Sequence, residues 1–167
     1  MLIVFGGLPG VGKSTLATAL AKERGAVYLR IDTIEQALRS SGTLAADVGP
    51  AGYIVAYALA ETNLRLGLPV VADSVNPLPV TRQAWRDIAA SAGRDIVEIE
   101  VICSDAAEHR QRVETRRPDV PGLALPTWEQ VRLRDYAPWD RPRIVVDTAH
   151  RPIAEAYADL RARIAAR

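Results

Sequence analysis

This 167-residue sequence predicts an α/β domain built on a parallel sheet with helices on both faces, on three observations. Residues 7 to 14, Gly-Leu-Pro-Gly-Val-Gly-Lys-Ser, fill the pattern G-x-x-x-x-G-K-[ST] between the apolar run Leu2-Ile3-Val4-Phe5 and a helix-forming stretch from Lys13 to Arg24. Short apolar runs alternate with helical stretches along the rest of the chain, which is the order of repeated strand–helix units. Asp32 and Asp73 both stand where an apolar run ends, and in an open α/β sheet that rim carries the site.

The elements follow in order. Gly25 closes the first helix, and Val27, Leu29 and Ile31 then alternate with Tyr28, Arg30 and Asp32, the pattern of an edge strand with one partly polar face. Asp32 is placed at the end of this strand, as N-cap of a helix beginning near Ile34. Residues 51 to 66 read as helix, and Pro69 to Asp73 as a short buried strand. Trp85, Ile88, Ala89 and Ala92 share one face of a helix from Thr81 to Ala92 that Gly93 stops. A strand from Ile96 to Cys103 leads to a helix capped by Asp105, with Glu108 at its third position, and this helix carries Arg110, Arg112, Arg116 and Arg117 until Pro118 to Gly122 break it. Thr127 and Gln130 have capping-box spacing, Ile144 to Asp147 give the fifth strand, and Ile153, Tyr157, Leu160 and Ile164 mark the last helix.

Composition narrows the class. Apolar residues make up 49% and the formal net charge is +1, which argues against disorder and against a broadly basic nucleic-acid surface. Cys103 is the only cysteine, so a disulfide framework and a cysteine zinc site are excluded and a cytoplasmic setting is expected. The apolar start reads as a strand rather than a signal peptide, no run has membrane-spanning length, and the whole of 1–167 reads as one domain.

The glycine motif is a phosphate-binding loop. Its backbone N–H groups form an anion nest at a helix N-terminus, so Gly7, Pro9, Gly10, Val11, Gly12, Lys13, Ser14 and Thr15 are the expected contacts of a nucleoside triphosphate. Lys13 reaches the β- and γ-phosphates, and Ser14 joins the shell of Mg²⁺. Asp73, after Val70-Val71-Ala72, has the form of a carboxylate that holds Mg²⁺ through water. Arg112 and Arg116, four apart, are expected on one helix face, where they could converge on a phosphoryl group. His109 and His150 lack metal-ligand spacing and read as surface residues, and Trp85, Trp128 and Trp139 as core.

In this order the phosphate loop, Asp32, Asp73-Ser74-Val75-Asn76-Pro77 with Arg82 beyond, and Arg112-Val113-Glu114-Thr115-Arg116 resemble the small P-loop kinases. The branch is that of the polynucleotide kinases, chloramphenicol phosphotransferase, gluconate kinase, adenylylsulfate kinase and zeta toxins, with bacterial members labelled only as AAA family ATPases. The resemblance implies a P-loop NTPase three-layer sandwich: a five-stranded parallel sheet in the order 2-3-1-4-5, with a short helical lid at about 112–136. It implies ATP and Mg²⁺, a hydroxyl acceptor on a small molecule, nucleotide or nucleic-acid end, and a monomer or homodimer. Asp32 then matches the carboxylate that takes the acceptor's proton, Arg112 and Arg116 match the lid arginines, and Thr148 lies near the adenine. Many members carry arginine three residues after that aspartate, where this chain has Glu35; Tyr53, Tyr57, Glu61, Asn63 and Asn76 are the expected acceptor contacts instead.

Two other classes compete. Asp119-Val120-Pro121-Gly122 formally fits the D-x-x-G of a GTPase, but it does not follow a strand and no Asn-Lys-x-Asp is present. A motor or switch ATPase needs a hydrolytic glutamate, and Ser74 follows Asp73.

Overall fold

Side chains that alternate along the strands send the sheet's apolar residues into two layers. In a computed structural model describing residues 1–42 and 47–166, the strands β1 (Leu2–Gly6), β2 (Val27–Arg30), β3 (Val70–Asp73), β4 (Ile96–Ile102) and β5 (Ile144–Asp147) form one parallel sheet. Their order is β2-β3-β1-β4-β5, as the resemblance implied, with β2 at an edge. Ile3, Phe5, Val71, Ile99 and Val146 point to one face, where α1 (Lys13–Arg24) and α7 (Ile153–Ala165) cover them with Leu16, Leu20 and Leu160. Leu2, Val4, Val70 and Ala72 point to the other, under Ala56, Ala60 and Leu64 of α3 (Ala51–Arg65) and Trp85 and Ala89 of α4 (Pro79–Ser91).

Several boundaries differ from the sequence reading, each for a local reason. β2 stops at Arg30, and α2 (Ile31–Ser40) begins at once, so Asp32 sits inside the first helical turn instead of capping a later helix. Pro79 occupies the first turn of α4, where a missing N–H costs nothing, and starts that helix two residues early. The helix α5 (Ala106–Thr115) ends before Arg116, which is extended at ψ 146°; Pro118 disfavours helix in the residue before it, and Arg117 lies outside the helix as well. The caps agree with the sequence: Asp105 accepts from the Glu108 N–H, and Thr127 and Gln130 form the capping box of α6 (Trp128–Arg132).

The loop after β3 is held by a buried cation. Arg82 is fully buried and pairs with no carboxylate among the described residues; it donates to the carbonyls of Asn76, Pro77, Ala137 and Pro138 at 2.7 to 3.1 Å and lies 4.2 Å from the Trp139 ring centroid. Burial pushes its pKa down, yet the carbonyl dipoles and the ring face suit only the charged form. Arg82→Met is expected to cost about 3 kcal/mol, because carbonyls that bonded to a cation are left buried and unpaired. A urea melt that loses less than about 1 kcal/mol would remove this residue from the scaffold.

Candidate phosphoryl-transfer site

The sheet's carboxyl edge opens into a cleft of about 1300 Å³. Its floor is the phosphate loop between β1 and α1. The Gly7 N–H donates to the Val75 carbonyl at 3.0 Å, and a Cβ on Gly7 would collide with the Val101 carbonyl. Gly10 has φ 87°, and its Cβ would fall 2.6 Å from Val113 on α5. Glycine is therefore required at both positions. Pro9, Gly10, Gly12, Lys13, Ser14 and Thr15 line the cleft, whereas Gly7 and Val11 are buried behind it. Lys13 is 7% exposed and has no hydrogen-bond or ion-pair partner among the described residues. A buried ammonium without an anion is costly, so this position is built for a bound anion.

Arg112 and Arg116 both line the cleft, but they are placed differently. Arg112 is tied down: it donates to the Thr148 hydroxyl at 2.8 Å, to the Thr148 carbonyl at 2.9 Å and to Glu108 at 2.6 Å. Thr148, 1% exposed, also lies 3.0 Å from the Val11 carbonyl, so the end of β5, the phosphate loop and α5 share one anchor. Arg116, past the end of α5, makes no hydrogen bond with its side chain among the described residues. His109 is the opposite of a surface residue. It is 6% exposed, its Nε2–H donates to the Pro9 carbonyl at 2.8 Å, and Trp128 of α6 packs edge-on against its ring at 5.1 Å.

The two aspartates part company as well. Asp32, with 39% of its side chain exposed, lines the cleft beside Glu35, Gln36 and Arg39 on one face of α2. Burial raises the pKa of Glu35, which lies over Gly52 and pairs with Arg39 at 3.3 Å. Asp73 is 2% exposed and stands behind the cleft lining; its Oδ2 accepts from the Tyr28 hydroxyl at 2.7 Å, and its Oδ1 has no partner among the described residues. Desolvation and the adjacent Asp73 push the Tyr28 pKa up, keeping that hydroxyl a donor.

Tyr53, Tyr57 and Asn76 do not line the cleft. The Tyr53 hydroxyl accepts from the Asn76 N–H at 3.1 Å, the Tyr57 hydroxyl donates to the Thr81 carbonyl at 3.2 Å, and Asn76 is fully buried at φ 49°. The sequence reading missed Arg30, Gln36, Arg39, Arg117, Arg134 and Arg151, all of which line the cleft. Counting Lys13, Arg112 and Arg116 with the arginines just named gives eight cations against the carboxylates of Asp32, Glu35 and Asp119, an excess suited to a polyanion.

Comparison with known proteins agrees with this geometry. A family model described as an AAA domain matches residues 2–134. No curated protein matches the chain. Among solved structures, one described as a "putative kinase" from Chloroflexus aurantiacus is similar at 22% identity and TM-score 0.73, covering 99% of this chain and 96% of that one. The Mycobacterium tuberculosis APS kinase CysC in complex with AMPPNP and APS is similar at 23% identity and TM-score 0.63, with 96% and 95% covered. A gluconokinase from Sinorhizobium meliloti is similar at 20% identity and TM-score 0.62, with 97% and 94% covered.

Lys13→Ala should abolish most of the thermal stabilisation that ATP with Mg²⁺ gives the parent, since a ligand that binds only the folded state stabilises it by mass action. An equal melting shift in parent and variant would take Lys13 out of the site. The chain belongs to the AAA domain family and has the fold of the small P-loop kinases.

Proposed function

We propose that the chain transfers the terminal phosphoryl group of ATP to a hydroxyl of a small molecule, a nucleotide or a nucleic-acid end. One observation carries this reading: an unpaired buried Lys13 on the floor of the cleft and the solvent-reached carboxylate of Asp32 on its wall, with Arg116 lining the same space. Phosphoryl transfer asks of a protein mainly positioning and charge stabilisation, and those are the resources present. Asp32 accepts the proton of the attacking hydroxyl and orients it. Arg116 meets charge on the transferring group, while Arg112, held by Thr148 and Glu108, positions the loop where the adenine would lie.

The residues suit Mg²⁺. Ser14 offers a hydroxyl from the cleft lining, and Asp73 offers a hard carboxylate oxygen left without a partner, the donor type this ion takes together with water. When bound, the ion would neutralise phosphate charge. The acceptor wall is the α2 face of Asp32, Glu35, Gln36 and Arg39, all of which line the cleft, as the α3 tyrosines do not. Family and fold also accommodate an ATPase that transfers to water alone; that outcome would appear as ATP consumption unaffected by any acceptor.

Three substitutions separate the roles. Asp32→Asn should leave ATP·Mg²⁺ binding by titration calorimetry within about twofold and lower transfer by about 10² or more, the scale of general-base loss. Arg116→Ala should lower turnover more than affinity, and Arg112→Ala should weaken nucleotide binding. The assay is ATP consumption over nucleosides, sugars, aminoglycosides and nucleic-acid ends. Full turnover by Asp32→Asn would reject Asp32 as the base.

A further inference from the structure

Arg30 ends β2 with its guanidinium 9% exposed, and three carboxylates stand within 4 Å of it. They are not equivalent. Asp119 receives both terminal nitrogens, at 2.5 and 3.0 Å, whereas Asp32 is 3.6 Å and Asp73 3.8 Å away, without hydrogen-bond geometry. The Nε–H is left unpartnered among the described residues, 3.8 Å from the Asp73 oxygen that accepts from Tyr28. The cation is thus drawn away from the two sheet-edge aspartates, toward a residue 89 positions along the chain.

Asp119 belongs to the segment joining α5 to α6, and its side chain is 57% exposed. The hydrogen bonds from Arg30 hold its carboxyl below the usual range. The same segment meets the α2 wall again at Gly122, whose φ is 80° and where a Cβ would fall 2.8 Å from Gln36 Nε2. Val120, between the two contacts, is 9% exposed. A bidentate arginine–carboxylate pair with one partner buried is the strong form of the interaction, far from the weak exposed pairs of a helix surface.

We propose that Asp119 is a positioning residue: by binding Arg30 it docks the 116–126 segment against the acceptor wall and keeps the Asp32 carboxylate free to receive an acceptor hydroxyl. This rests on the reading of Asp32 as the base. A buried guanidinium needs acceptors, and the acceptors besides Asp119 that stand within 4 Å of Arg30 are the carboxylates of Asp32 and Asp73, so if Asp119 lets go, Arg30 turns to one of them. Docking of the segment and freedom of the base are then a single equilibrium. Arg30 and Asp119 never touch the reacting atoms; they act through where they leave Asp32.

Asp119 is exposed enough to change without threatening the fold. The test uses Asp119→Ala, Asp119→Glu, Arg30→Met and the double variant Asp119→Ala/Arg30→Met. Two readouts are taken: tryptic cleavage after Arg116 in nucleotide-free protein, the bond after Arg117 being protected by Pro118, and transfer from ATP·Mg²⁺, with water as acceptor where no alcohol serves. Asp119→Ala should speed cleavage about tenfold and lower kcat about tenfold, with KM for ATP within about twofold, and Asp119→Glu should recover part of both. In the Arg30→Met background the Asp119→Ala effects should vanish, the mark of a coupled pair. Faster cleavage with unchanged kcat overturns the positioning role, and additive effects or unchanged cleavage overturn the pair. If the parent binds ATP·Mg²⁺ but transfers to nothing, the base reading fails and this proposal's claim on Asp32 fails with it, while the cleavage cycle still decides the docking claim separately.

Discussion

A cation buried with no carboxylate partner among the described residues holds the carboxyl edge of the sheet together. Arg82 gathers four backbone carbonyls from two loops and lies on an indole face, so it fixes the stretch after β3 against the stretch before β5. That first stretch carries the Val75 carbonyl, from which the Gly7 N–H hangs, and the Asn76 N–H, which reaches Tyr53 on α3. The phosphate loop is thereby suspended from a rigid support that touches no ligand. Carbonyl dipoles can stabilise a guanidinium this way because its donors form a planar fork matching several acceptors at once.

The cleft shows the complementary strategy, with charges left short of partners. Among the described residues Lys13 is unpaired, Arg116 makes no side-chain hydrogen bond, and Asp73, just behind the lining, keeps one oxygen unmatched, whereas Arg112 is held by Thr148 and Glu108. Burying unmatched polar groups costs stability. Part of that cost falls at Lys13 and Asp73, where a triphosphate and its metal would cancel it.

What was legible in the sequence was local or periodic. The glycine spacing, the strand alternation and the Asp105 and Thr127 caps depend on neighbours within a turn, and each appears as read. The strand order came from resemblance, because periodicity says which residues face the core and nothing about which strand lies beside which. Long-range pairing stayed hidden. Nothing near residue 30 announces a partner at 119, although Arg30 already stood on the polar face of an edge strand. His109 was misread because its helix is rich in charge, yet its own face packs on the phosphate loop. Tyr53 and Tyr57 were of the right polarity for an acceptor pocket, but their hydroxyls are consumed in bracing the loop after β3 and the start of α4.

The contact between His109 and Trp128 makes the protein optically self-reporting. Trp85 is sealed in the core and Trp139 lies beneath Arg82 against Gly6, and neither indole lines the cleft. Trp128 alone belongs to the short helix above the cleft, and it rests on an imidazole whose proton is held by the carbonyl of Pro9, a cleft-lining residue. A rearrangement of the phosphate loop that moves the Pro9 carbonyl is passed through one hydrogen bond to the ring against which Trp128 packs. The contribution of Trp128 to the protein's emission therefore follows the loop, with no label attached.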